Sequence, residues 1–305
     1  MEQVLSVSEP LAVGECAVCG TDHHASIFLD LGDYTVSRCA ACGLVYLSGE
    51  RSAASERIRY QKDHFDTGYM RGFDVDEIAG EQLESTRAAL GCAGASFAGL
   101  PRWSPVLDIG CARGHYLNLL RAAMSERQFI GVDASRRMTE RGRTEFGLDL
   151  RGRTFESAGL PPGCFGLVTA FDVLEHMVSP GDVLAKMLRL LHPNGWGVLE
   201  VPSERTIFRS LARAAFQMTA GTITEPLRAL YHPSHLTYFT PSSLRLLLEH
   251  LGAAGIVIRC KEAHITRLGA DRYRPLARAA IRAATGLDRL LGTEAKLLVA
   301  FRRRA

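Results

Sequence analysis

No run of this 305-residue chain reaches the ~18 consecutive apolar residues that would span a bilayer, so no transmembrane helix is expected. A secretory signal is also missing, because MEQVLSVSEPLAVGEC is acidic and lacks a long apolar core. Charge of one sign is scarce. Lys and Arg number 36 against 33 Asp and Glu, and a net +3 is too little to argue for a nucleic-acid partner by itself. Without an export signal, the eight cysteines point to a reducing, cytoplasmic setting, where they act as thiols, ligands or packing residues and not as disulfides. What remains is an ordinary soluble composition, 47% apolar and 23% charged, at a length that suits two domains.

Four of the cysteines are patterned. Cys16-Ala-Val-Cys19-Gly20 and Cys39-Ala-Ala-Cys42-Gly43 are two copies of C-x-x-C-G. Four thiolates at this spacing suit tetrahedral zinc, with each glycine permitting a tight turn that aims amide N–H groups at sulfur. Ser26–Leu31, Tyr34–Arg38 and Leu44–Leu47 read as three strands around the knuckles, so residues 1–50 form a zinc-ribbon-like module. A full set of four sulfurs leaves no open coordination position, which makes the expected role structural: the Zn2+ folds a module too small to hold itself together by burial. His23 and His24, between the knuckles, read as surface residues. Cys92, Cys164 and Cys260 carry no pattern.

The most informative stretch is VLDIGCARGHYL (106–117) with FIGVDAS (129–135). Val106–Ile109 is a short apolar strand, Gly110 and Gly114 mark a sharp turn, and His115–Ala123 has helical periodicity. Ile130–Val132 is the next strand, closed by Asp133 about twenty residues beyond the glycines, where an acid can grip ribose hydroxyls. The glycine pattern is not G-x-G-x-x-G, so the turn is not built for a pyrophosphate. Asp108 would repel phosphate and favour an ammonium group. The ligand that fits has ribose, adenine and an amino acid.

D-I-G-C-x-x-G followed by G-V-D-x-S resembles the S-adenosylmethionine site of class I methyltransferases. The resemblance implies an α/β, Rossmann-like seven-stranded sheet with flanking helices and a last antiparallel strand, over roughly residues 101–305. It implies a cofactor site of Asp108, Gly110, Cys111, Ala112, Gly114, Asp133, Ala134, Phe155, Glu156, Phe171 and Asp172. In that reading Glu156 accepts from the adenine amino group, Phe155 supplies an apolar face, and the D-V-L-E-H run (172–176) lies beneath the methionine part. The family often has F-D where this chain has Phe165-Gly166.

The remaining elements follow the same plan: helices at Glu77–Leu90, Arg136–Phe146, Pro180–Leu191 and Ser242–Leu251, and strands at Leu148–Gly152, Leu167–Ala170, 192–204, Gly255–Cys260 and Ala295–Arg302. Residues 51–100 read as a helical linker or cap, in which Tyr60, His64, Phe65 and Tyr69 form an aromatic cluster. Two basic amphipathic insertions, 205–234 and 262–293, read either as helices covering a sheet edge with solvated arginines or as a lid. In the lid reading Arg205, Arg209, Arg213 or Arg228 meets an anionic group. A peripheral membrane contact is a weaker third option.

H-L-T-Y-F-T (235–240) resembles an element of methyltransferases found in natural-product, sugar and cell-surface gene sets. In zinc-containing sugar C-methyltransferases a Glu-His pair at this place serves as base. His235 matches the histidine, but Ser234 stands where Glu would be, which favours O- over C-methylation. His235 is the expected general base, with His232 and His176 as substitutes. The acceptor implied is a small molecule: a sugar, a lipid-linked glycan or a secondary metabolite. RNA methylation is an alternative, opposed by a ribbon with Arg38 as its sole Arg or Lys over 14–50 and by the absence of N/D-P-P-Y/F. A non-catalytic zinc-ribbon scaffold is the other, opposed by the intact Asp108, Gly110, Gly114 and Asp133 set.

Overall fold

The computed structural model describes residues 16–20, 25–32, 34–48, 74–124, 126–262, 286–293 and 295–304. Two sheets organise them. Seven strands form the larger: β4 (Val106–Ile109), β5 (Phe129–Asp133), β6 (Asp149–Gly152), β7 (Phe165–Phe171), β8 (Leu191–Pro202), β10 (Ala253–Lys261) and β11 (Lys296–Arg303). Their order is β10-β11-β8-β7-β4-β5-β6. β6, β5, β4, β7 and β8 run parallel, and β11 is antiparallel to both its neighbours. The expected seven-stranded sheet with its antiparallel last strand is the one found.

Every residue of β4, β5 and β7 is buried, as strands covered on both faces require. Alternate residues feed two cores. Leu107, Ile109, Val132, Val168 and Leu199 pack on one face, with α4 (Pro180–Leu190) and α7 (Pro241–His250) supplying Leu184, Met187 and Leu247. Val106, Phe129, Leu167 and Val198 pack on the other, against Leu90 of α1 (Val75–Cys92) and Leu117 and Leu120 of α2 (His115–Ala123). The β5–β6 crossover, α3 (Arg136–Phe146), is capped by the Ser135 hydroxyl and stopped by left-handed Gly147. β7 starts two residues earlier than its apolar run suggests, because Phe165 is fully buried and Gly166 lies where a Cβ would sit 3.0 Å from that of Ser104. Gly166 is thus a packing position.

Running β4→β5→β6 in one direction and β7→β8 in the other creates a switch point between β4 and β7, the place where open α/β sheets bind ligands at the carboxyl ends of their strands.

The smaller sheet holds a departure from the expected three-stranded ribbon. β1 (Ala25–Asp30), β2 (Thr35–Cys39) and β3 (Val45–Ser48) form the predicted meander, but a fourth strand, β9 (Thr237–Tyr238), pairs with β3. The Leu47 amide also donates to the Leu236 carbonyl (3.0 Å). Cys16, Val18, Cys39 and Leu44 enter the same core as α4 and α7. Leu29, Tyr34, Val36 and Val45 pack with Leu227, Tyr231 and Tyr238. The cysteine knuckles are therefore built into the body of the molecule.

Candidate functional site

At the end of β4 the chain turns through left-handed residues Gly110 (φ 75°), Ala112 (φ 47°) and Gly114 (φ 81°) before α2 begins. A Cβ at Gly110 would lie 2.4 Å from a methyl of Val173, so only glycine lets this turn approach the loop after β7. The turn is pinned from β5: Asp133 accepts the Ala112 amide (2.9 Å) on one oxygen and the Ser135 amide (2.8 Å) on the other. Gly142 of α3 completes the packing, since a Cβ there would strike the Arg113 carbonyl. Ala134 is the link between Asp133 and that helix cap.

Asp108 is buried and accepts the Thr169 hydroxyl (2.7 Å) from β7. Burial raises its pKa to about 7, with the Asp133 charge adding and the Thr169 hydrogen bond opposing. Two buried acids at the carboxyl edge make a negative pocket that a cationic group would neutralise. Cys111 faces the neighbouring strand with its side chain. Its sulfur turns inward against Gly131, and its amide donates to Val132.

Phe155 is buried under the Lys186 ammonium (4.6 Å to the ring), while Glu156 is exposed; both residues give their carbonyls to Lys186. Phe171 ends β7 edge-on to Tyr116 (5.1 Å), whose hydroxyl meets Thr86. Asp172 is left-handed (φ 53°), and its carboxylate is gripped by Lys296 of β11 (2.7 and 2.6 Å). Lys296 also reaches Glu200 (2.8 Å), which Lys261 holds from the other side (2.9 Å). Burial opposes ionisation of Glu200, yet the two ammonium groups hold it down at about 2. Lys296 and Glu200 were not foreseen. The signal was a glutamate in the apolar strand GVLEV, since a buried charge demands a partner. Lys296→Met should destabilise the fold by roughly 3–5 kcal/mol in urea unfolding, because it strands two carboxylates. A loss below ~1 kcal/mol would mean the pair is solvated.

The three candidate histidines are unequal. His176, in the 3-10 turn Leu174–His176, points Nδ1 at the Ser234 carbonyl (2.6 Å), so Nδ1 carries the proton. Its ring lies edge-on to that of His235, 4.7 Å between centroids. Burial, with the neighbouring His176 imidazole and the Arg209 charge adding to it, drives His235 to about 2 and keeps it neutral. His232 is exposed and accepts the Ser234 amide (3.2 Å) on Nδ1. Glu175, missed in the sequence, joins His176 and His235, their ligand atoms all within 4.8 Å of one another. Burial and the Asp172 charge push its pKa well up.

Residues 205–234 form helices as expected, α5 (Ile207–Met218) and α6 (Glu225–Leu230), but three of the four arginines are not solvated. Arg209 is buried between the rings of Tyr231 and Tyr238 (4.5 Å to each) and 3.4 Å from Glu204. Arg213 binds Glu204 and the Tyr231 hydroxyl, and Arg228 donates to the Leu31 carbonyl of the front module. They are internal braces, and only Arg205 is exposed. Their spacing shows helical amphipathicity but not that Glu204 lies inside to receive them.

The four patterned cysteines converge. Cys16 and Cys42 sulfurs lie 3.5 Å apart and Cys19 and Cys39 sulfurs 3.7 Å apart, close to the ~3.8 Å edge of a tetrahedron with 2.3 Å Zn–S bonds. Amides of Val18 and Cys19 face Cys16, and Leu44 faces Cys42. Burial works against ionisation of Cys39, but the Cys42 and Ala41 amides draw it down to about 6. No disulfide forms among the described residues. The donor set fits zinc. His23, His24, Tyr60, His64, Phe65, Tyr69 and most of 262–293 lie outside the described residues. Among the described residues no helix is long and apolar enough to cross a membrane.

Comparison with known proteins gives the following. A sequence model described as a methyltransferase domain matches residues 80–256. The ubiquinone biosynthesis O-methyltransferase of Burkholderia cenocepacia is 28% identical over 205 residues, 65% of this chain and 78% of that protein. The mitochondrial ubiquinone biosynthesis O-methyltransferase of Schizosaccharomyces pombe is 34% identical over 116 residues, 35% of this chain and 40% of that protein. In the complex between the Haloferax volcanii Trm112 methyltransferase activator and a putative methyltransferase, a chain superposes with a TM-score of 0.50 at 16% identity, covering 75% of this chain and 97% of its own length.

Proposed function

The chain belongs to the methyltransferase domain family and is an S-adenosylmethionine-dependent methyltransferase, and on that premise we propose that it methylates a hydroxyl of a small-molecule acceptor. The observation that carries the choice is the Glu175–His176–His235 cluster at the carboxyl edge of the sheet, beyond the loop that Gly110 approaches. The O-methyltransferase names of the relatives support oxygen as the nucleophile, as does Ser234 in the place of a glutamate base. Phenols, sugars, lipid-linked glycans and secondary metabolites are the acceptor classes in view.

The sulfonium supplies an activated methyl group. The residues supply position and proton handling. Asp108 receives the ammonium of the donor, Asp133 the ribose hydroxyls, and the Gly110–Gly114 turn lets the backbone come close. Ala134, Phe155, Glu156 and Phe171 border the adenosyl end, and Asp172, fixed by Lys296, sits under the methionine end. The acceptor hydroxyl gives up its proton at the histidine cluster, its oxygen forms the new bond to the methyl carbon, and the carbon–sulfur bond breaks to leave a neutral thioether. His176 is the better proton acceptor, since its Nδ1 proton is committed to a carbonyl and Nε2 faces the cluster. The Cys16, Cys19, Cys39 and Cys42 cage would hold Zn2+ as a structural element.

The test is methyl transfer from isotopically labelled S-adenosylmethionine to a panel of phenols, sugars and sugar nucleotides, read by mass spectrometry. A hydroxyl-methylated product is expected, with His176→Ala at least ~100-fold slower and donor affinity unchanged. Methylation at carbon or nitrogen, or an unimpaired His176→Ala, would overturn the reading.

A further inference from the structure

Glu175 is 1% exposed, and neither carboxylate oxygen has a hydrogen-bond partner among the described residues; nor does the buried Thr237 hydroxyl. A glutamate left so far from solvent demands compensation. The cations nearby are already matched. Lys296 is held by Asp172 and Glu200, and Arg209 lies against Glu204. What faces Glu175 is a pair of imidazoles. His176 gives its Nδ1 proton to the Ser234 carbonyl (2.6 Å), which leaves the Nε2 lone pair directed into the cluster, 4.0 Å from Glu175 Oε1. A backbone carbonyl on the far nitrogen is the arrangement that orients metal-binding histidines. His235 closes the set from the turn ahead of β9, its amide donating to the His232 carbonyl (2.9 Å), so the three groups come from two distant parts of the chain.

We propose that Glu175, His176 and His235 form a second metal site, distinct from the cysteine cage, that takes a divalent transition cation such as Zn2+, Mn2+, Fe2+ or Co2+. Two imidazoles and one carboxylate are a common donor set for these ions and leave coordination positions open for an outside oxygen. The ligand atoms lie within 4.8 Å of one another. Inward shifts of about 1 Å bring them to the ~3.3 Å separation set by metal–ligand bonds near 2 Å. The site deepens the proposed function and rests on it only for the identity of that oxygen. With a cation bound, His176 Nε2 is a ligand and no longer the proton acceptor; the Lewis acid lowers the pKa of the acceptor hydroxyl, and its proton leaves to solvent. With the site empty, His176 takes that proton.

The site is tested without an acceptor. Protein whose cysteine cage has been filled with zinc is titrated with Co2+ and, separately, Mn2+, following cobalt absorption, manganese paramagnetic resonance and heat. One further equivalent per chain is expected, with a cobalt spectrum free of thiolate charge transfer. Glu175→Gln, which keeps shape but not charge, and His235→Ala should each weaken it at least ~100-fold while donor affinity stays normal as the check on folding. No second equivalent in the zinc-loaded wild type, or undiminished binding by Glu175→Gln, overturns the proposal. If the second equivalent binds but no hydroxyl is methylated, the metal site stands and the proposed function falls.

Discussion

Asp108→Asn is expected to make the unliganded protein more stable at pH 8 while weakening S-adenosylmethionine binding roughly 10- to 100-fold. The carboxyl is buried, and its pKa in the fold is raised to about 7. A raised acid pKa means that the folded state disfavours the ionised form. The cost is absent below the unfolded pKa near 4, grows between about 4 and 7, and is fully present above 7. At 1.36 kcal/mol per unit it reaches roughly 3–4 kcal/mol, so the variant should melt roughly 5 °C or more higher. Asparagine still accepts the Thr169 hydroxyl, so the geometry survives. The same charge is what the ammonium of the donor would neutralise. Wild-type affinity should therefore fall about tenfold per pH unit below 7, and binding near pH 7 should release protons. Calorimetry in buffers of different ionisation enthalpy reads both, and unchanged stability with unchanged affinity would remove Asp108 from the site. Asp133→Asn should not stabilise. Each oxygen of Asp133 accepts a backbone N–H, and an amide would set an NH2 against one of them.

The second large effect is expected at the cysteine cage. Stripping its metal, or replacing Cys39 with serine, should abolish methyl transfer while donor affinity falls less than ~10-fold. Structural zinc in small modules contributes on the order of 10 kcal/mol of folding free energy, far more than a ribbon this size gains by burial. Here the loss would spread, because β3 pairs with β9 and the Tyr34 hydroxyl binds the Tyr231 carbonyl (2.8 Å). Freed from that support, the segment carrying His235 has no fixed place, whereas Asp108, Asp133 and the glycine turn belong to the larger sheet. Cobalt substitution gives the readout: thiolate-to-cobalt charge transfer should be present in the wild type and gone in Cys39→Ser. A Cys39→Ser protein that kept this signal, or full turnover after chelation, would contradict the assignment.

Most of the sheet was legible because its determinants are local. Apolar runs, the helical spacing of His115–Ala123 and Arg136–Phe146, and the Gly110–Gly114 turn encode elements within a few residues of themselves. The C-x-x-C-G repeats likewise announce a cage. What could not be read depends on partners far away in sequence. Nothing near Lys296 signals Asp172 and Glu200, and nothing near Arg209 signals a slot between two tyrosines beside Glu204. Glu175 went unnoticed for a related reason. Within D-V-L-E-H it looks like one of several polar residues in a turn, and only burial singles it out.

The pairing of β3 with Thr237–Tyr238 has a consequence for biogenesis. As the chain leaves the ribosome, the front meander is complete by residue 48, yet the strand that covers its open edge is made nearly 190 residues later. Until then β3 presents unpaired backbone groups to any neighbouring nascent chain, the condition under which edge strands aggregate. A long closing loop of this kind also slows folding. A metal held by Cys16, Cys19, Cys39 and Cys42 would stiffen the meander before its partner exists and so protect the molecule through that interval.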